Sequence, residues 1–308
     1  MLRPILINLQ SFIVCDQLSH FYPMKSAPDS IRVYSPEPLL GHPWQLLRSI
    51  ACDLLAAREL AWRLFVRDLS AQYRQTFLGY VWVFLPPLAA SLTFIFLNSQ
   101  GIVRIDTGGI PYPAFAMMGT LLWQVFVDAV TSPAHSLAAA RSMLSKINFP
   151  REAILMGGLA MVVFNFFARL VLVAGVMWWW RIPIDSGVLV FPLAMAALLT
   201  CGFAIGLAIT PLAGLYGDVI RAIPIIAQFW MLLTPVVYPA RTEGLAGALA
   251  TWNPVAPLII TARESLTAQT FTQLQPFILI FGCSLLFACL GLIGFRLAMP
   301  HLIARMGG

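Results

Sequence analysis

The sequence predicts an all-α membrane protein: six transmembrane helices, an N-terminal amphipathic interface helix, and two short re-entrant helices between the last two spans. Three observations predict it. Of 308 residues, 59% are hydrophobic and 10% charged, with a mean hydropathy of +0.82. Soluble domains carry about a quarter charged residues, so this chain lacks the charge to cover a water-facing surface. The apolar runs reach or exceed the roughly 20 residues that a spanning helix needs, about twice the length of a barrel strand. The basic residues, finally, are distributed unevenly between alternate connecting segments, as the positive-inside rule describes.

The six runs are residues 78–98, 112–133, 153–180, 187–210, 219–239 and 274–299. They divide the chain into an N-terminal tail and linker (1–43), an amphipathic interface helix (44–77), a transmembrane domain (78–299) and a C-terminal tail (300–308). Asn8 and Gln10 interrupt the apolar start of the chain, so it makes a poor signal sequence. Pro28, Pro36, Pro38 and Pro43 mark an irregular linker.

Fourteen of the nineteen Lys and Arg residues fall on one side of this layout: eight before the first run, Arg141, Lys146 and Arg151 between the second and third, Arg221 before the fifth, and Arg296 and Arg305 at the end. Arg104, Arg181, Arg241 and Arg263 fall on the other, and Arg169 lies within a run. Both termini are therefore expected in the cytoplasm. Trp178-Trp179-Trp180 then ends the third run at the outer interface, where indole rings favour headgroup depth. The net charge of +6 is no nucleic-acid signal, because it clusters outside the apolar runs.

Residues 44–75 contain neither Pro nor Gly and read as a helix. At about 100° per residue, Arg63, Arg67, Ser70 and Arg74 share one sector, with Leu54, Ala57, Ala61 and Phe65 opposite. Two readings stand: the arginines anchor the helix to anionic lipid, or they collect a phosphate-bearing lipid substrate, which guanidinium groups suit. Between the last two runs, residues 244–251 and 254–268 are half-length apolar pieces split by Asn253-Pro254, a turn and helix-start signal.

Several chemistries lack their residues. Lys25 and Lys146 are the only lysines, and neither has the glycine context of a phosphate-binding loop. There is no His-Glu-x-x-His and no Gly-x-Ser-x-Gly, which weakens the reading as a membrane glycosyl- or acyltransferase. The five cysteines have no metal-binding spacing and read as small hydrophobes. Arg169 is the conspicuous intramembrane charge, with Asn165 one turn earlier as an expected hydrogen-bond partner and Asp128 expected to be solvated near the inner end of the second run. No chain of acidic residues marks an ion-coupled flippase. Pro86-Pro87 interrupts the first run and reads as a fixed kink or as a hinge.

Taken in order, several motifs form a pattern. Tyr73-Arg74-Gln75-Thr76-Phe77-Leu78-Gly79-Tyr80-Val81-Trp82 leads into a Pro-broken first run, and Pro111-Tyr112-Pro113 opens a second that carries Gly119 and Trp123. Phe149-Pro150-Arg151-Glu152, Tyr216-Gly217-Asp218-Val219, Thr234-Pro235-Val236-Val237-Tyr238-Pro239 and Trp252-Asn253-Pro254 follow. From about residue 58 to 299 the chain resembles the permease subunit of polysaccharide-exporting ABC transporters, the type that moves O-antigen, capsule or teichoic acid. It departs from that pattern at Pro86, where relatives often have Gln, and at Gly217, where they often have Arg.

The resemblance implies two copies of the chain with two copies of a soluble ATPase subunit, which binds ATP and Mg; the chain itself needs no cofactor and no metal. It implies a bacterial inner-membrane location and a polyprenyl-diphosphate-linked polysaccharide as cargo. Ser145, Lys146, Asn148, Phe149, Arg151 and Glu152 then form a coupling segment that docks on the ATPase, with a second contact near Asp218. Arg63, Arg67 and Arg74 receive the lipid diphosphate. Trp82, Pro86, Pro87, Trp123, Asn165 and Arg169 become candidates for a gate or glycan path.

Overall fold

A computed structural model describes residues 43–73, 79–101, 105, 107, 109–144, 150–239 and 252–306. Among them every regular element is helical: α1 (Pro43–Tyr73), a 3-10 segment (Gly79–Val83), α2 (Leu85–Ser99), α3 (Tyr112–Ala139), α4 (Arg141–Leu144) and α5 (Glu152–Trp179). After these come a second 3-10 segment (Ser186–Val190), α6 (Phe191–Leu215), α7 (Gly217–Leu233), α8 (Val255–Leu266) and α9 (Leu274–Met306).

Four helices are long and apolar enough to cross a membrane: α3, α5, the Ser186–Leu215 unit ending in α6, and α9. The expected first and fifth spans form shorter helices. α2 has 15 residues because Pro86 and Pro87 occupy its first turn, where a missing N–H costs nothing. The proline pair therefore starts a helix rather than kinking one. α7 stops after 17 residues because Thr234 is extended and Pro235 cannot continue the helix. Two other helices outrun the expected ends. α3 continues past Pro133 to Ala139, and α9 continues past Pro300 to Met306, so most of the expected C-terminal tail is helical.

α3 lies at the centre, the most apolar 18 residues of it 78% buried, against 11% for α9. α6 packs between them. Gly202 and Gly206, four residues apart, let the backbones of α3 and α6 approach: a Cβ at Gly206 would lie 2.4 Å from the Val130 carbonyl oxygen, and one at Gly202 2.8 Å from that of Phe126. Around this axis sits a large core that includes Met118, Phe126, Leu198, Val236, Leu258 and Phe277. The exposed apolar side chains of α9 (Leu279, Leu286, Phe287) and α7 (Ile225, Ile226, Phe229) look outward.

A second core fixes one end of the bundle. Leu137, Ala153, Leu207, Phe295 and Leu302 bring together the end of α3, the start of α5 and the ends of α6 and α9. Arg141 donates to the Gly214 carbonyl at 2.8 Å, satisfying an acceptor in the last turn of α6. Glu152, in the first turn of α5, faces Arg296 of α9 at 3.7 Å. Ala57, Ala61 and Leu64 of α1 close the same core, and Phe65 is buried beside Phe164. The apolar face of α1 thus packs on protein, chiefly α5, and not on lipid alone; Trp62 on its flank stays exposed. Arg151 stands at the start of α5, and Asp218 and Arg221 at the start of α7.

Candidate functional site

Asp128 of α3 and Arg169 of α5 form a buried ion pair at 2.6 Å, with side chains 18% and 6% exposed. Arg169 also donates through Nε to the Val83 carbonyl at 3.4 Å, joining the 3-10 segment before α2 to the pair. Gln124, one turn before Asp128, donates to its other carboxylate oxygen at 3.2 Å. A guanidinium at this depth needs a countercharge, because an unpaired ion in a low-dielectric interior costs several kcal/mol.

Two expectations are corrected here. The partner of Arg169 is Asp128, not Asn165, and Asp128 is not a solvated end residue. The reason is helix length: α3 runs to Ala139, which leaves Asp128 about 16 Å inside that end at 1.5 Å per residue. From sequence, Asp128 was given no role as a partner. Its signal was available in the sequence, as a lone carboxylate in one apolar run opposite a lone arginine in the next.

Asp128 of the pair lines a cavity of about 390 Å³ between α1, α3 and α5. Asp68 of α1, Thr131, Ser132 and His135 of α3 and Asn165 of α5 line it. Ser132 Oγ and Asn165 Oδ1 are buried there without a hydrogen-bond partner among the described residues. Gly158 lets the hydroxyl-bearing face of α3 press against α5, since a Cβ there would lie 2.0 Å from Ser136 Oγ.

At the opposite end, the turn after α7 is pinned to the wholly buried α8. Asn253 accepts from the Val255 amide (3.1 Å) and from Trp230 Nε1 (3.2 Å), and donates to Thr234 Oγ1 at 2.7 Å. Arg263 donates to the carbonyls of Val236 (3.0 Å) and Pro235 (2.9 Å) and lies 3.7 Å over the Phe115 ring. Glu264 accepts from Thr272 at the approach to α9. Gly119 admits the turn: a Cβ there would meet the Val236 oxygen at 2.0 Å. Asn253-Pro254 starts α8 as the sequence suggests, but the clamp made by Arg263 and Glu264 was not anticipated. Two adjacent charges in an apolar half-length segment were its signal.

A family model described as ABC-2 type transporter matches residues 59–267. The chain belongs to the ABC-2 type transporter family. It is 25% identical over 241 residues to the O-antigen export system permease protein RfbA of Myxococcus xanthus, covering 75% of this chain and 89% of that relative. Two proteins of the same name from Klebsiella pneumoniae are each 24% identical, covering 64% of this chain and 76% of theirs.

In this ABC-2 chain the matched stretch contains the buried pair, the cavity and the Arg263–Glu264 clamp, and ends before α9 begins. The expected site residues disperse over it. Ser145, Lys146, Asn148, Phe149 and Arg74 lie outside the described residues. Arg151 is half-buried at the N-cap of α5, and Glu152 is buried 3.7 Å from Arg296. Asp218 is almost fully exposed, 3.5 Å from Arg221, which stands one turn on. Arg63 is paired with Glu59 and Arg67 with Asp68, each at 2.7 Å, so both guanidiniums already have a countercharge. Trp82 and Pro86 are exposed, while Pro87 is buried. Trp123 is 3% exposed in a cluster with Phe126 and Trp230, which makes it core rather than path lining.

Proposed function

We propose that the chain is the transmembrane permease subunit of an ABC exporter that moves a polyprenyl-diphosphate-linked polysaccharide of O-antigen, capsule or teichoic-acid type across the bacterial inner membrane. One observation carries the reading: similarity over 89% of the length of a protein named for O-antigen export, beside a family match over residues 59–267. The long apolar helices support a conduit in the membrane.

In this reading six segments cross the membrane. α2 is completed by the 3-10 segment before it, and α7 by the turn after it. α8 is the second of the two expected re-entrant pieces, the first (244–251) lying outside the described residues, and both termini are cytoplasmic. Two copies of the chain pair with two soluble ATPase subunits, which supply ATP and Mg; the chain needs no cofactor of its own. The basic face, where α3, α5, α6, α7 and α9 have their ends, receives the ATPase. The segment 145–152 provides the main contact, with Phe149 as an anchor and Lys146 at the rim, and Asp218 provides a second. Arg63, Arg67 and Arg74 meet the lipid diphosphate, which must displace Glu59 and Asp68 from the first two.

The test is co-purification. Lys146→Glu with Phe149→Ala should abolish recovery of the ATPase while the chain still inserts. Undiminished recovery would remove the docking assignment.

A further inference from the structure

The cavity between α1, α3 and α5 has a chemistry that the transport reading does not use. We propose that it is a binding site for a neutral sugar ring, the hydroxyl-rich head of a glycolipid. The proposal deepens the reading of the chain as a glycolipid permease and rests on it for the natural ligand.

The walls exclude the other candidates in turn. Asp68 and Asp128 both line the cavity, and among the described residues no Lys or Arg lines it. A phosphate inside it would meet two carboxylates. A metal would lack ligands, since no group of three His, Cys, Asp or Glu is placed to hold one among the described residues. A hydrocarbon tail would leave Ser132 Oγ and Asn165 Oδ1 unsatisfied in a dry site, which is unfavourable for any buried polar atom.

What fits is a ligand that both donates and accepts at several points without net charge. Sugar hydroxyls do this. They can donate to the Asp128 and Asn165 oxygens and pair in either sense with Ser132, Thr131 and His135. Ser132 is 8% exposed, and its hydroxyl is the kind of buried, partnerless group that a bound ring would complete. The volume of about 390 Å³ falls within the range of roughly 300–1,000 Å³ typical of small-molecule sites. The location suits a membrane lipid: Asp68 is beside Arg67 on the interface helix, and the lining runs from it along α3 to Asp128. A lipid whose phosphate rests near the α1 arginines would have its first sugar within reach of this cavity.

The experiment uses the purified full chain in lipid nanodiscs and a photoreactive alkyl glucoside, with crosslinked peptides identified by mass spectrometry. Labelling is expected within residues 124–139 and 154–169. Octyl glucoside should compete at least tenfold better than octyl phosphate. Asn165→Leu should cut labelling at least tenfold without lowering the thermal midpoint, because it removes an orphan carboxamide. Ser132→Ala should act in the same direction and carries the test if the leucine variant does not fold. No labelling of these segments would mean a cavity that holds water only, and would overturn the proposal. Equal competition by the alkyl phosphate, or labelling that survives both substitutions, would overturn it too. The labelling needs neither ATPase nor export. Failure of export with labelling intact therefore strikes the transport reading, and loss of labelling with export intact strikes the site.

Discussion

Arg169→Met should destabilise the bundle more than removal of both members of the ion pair. The substitution keeps side-chain length and apolar volume but strands the Asp128 carboxylate, which is 18% exposed and then keeps only the Gln124 amide at 3.2 Å as donor. Breaking a buried pair from one side costs about 3–5 kcal/mol, whereas replacing both members is often near neutral. The partial exposure of Asp128 puts the single loss at the low end, about 3 kcal/mol. Asp128→Asn with Arg169→Met should then recover about 2 kcal/mol of it, a coupling well above the roughly 0.5 kcal/mol expected of independent sites. Reversible unfolding of the four proteins in mixed micelles measures the cycle. If the two single losses simply add, the pair is not the unit described here.

Three further outcomes follow from single positions. Gly119→Val should lose about 1–3 kcal/mol or more, because even its Cβ would meet the Val236 oxygen at 2.0 Å; a thermal midpoint equal to that of the parent would show that the turn gives way freely. Arg263→Met strands two carbonyls near α8, for a loss of about 2–4 kcal/mol, and should raise amide exchange in residues 234–238 and 255–266 selectively. Asp218→Arg, at a side chain 95% exposed, should change stability by less than about 0.5 kcal/mol yet lower recovery of the ATPase in co-purification.

Legibility in the sequence followed the range of the signal. Apolar length identified the four long helices to within a few residues at most ends, because hydrocarbon thickness sets that length. The amphipathic register of α1 was equally readable: Ala57, Ala61 and Phe65 are buried and Arg63 and Arg67 exposed. Proline was harder to interpret. Pro133 and Pro300 pass inside helices, whereas Pro86-Pro87 and Pro235 mark ends, and the difference depends on whether neighbouring groups satisfy the freed carbonyls. What could not be read was pairing across helices. Arg169 has Asn165 as its neighbour by helical spacing, but the stronger attraction, to Asp128, depends on how α3 and α5 are set against each other. For the same reason Glu152, which looks like a surface charge in sequence, is taken up by Arg296 144 residues away.

The account rests on a division of labour, with this chain as the conduit and a separate ATPase as the motor. Reconstitution of the purified chain into vesicles with lipid-linked glycan measures this directly, with and without the ATPase and ATP. The account predicts transfer of glycan to the far leaflet only when chain, ATPase and ATP are all present. Transfer by the chain alone would contradict it.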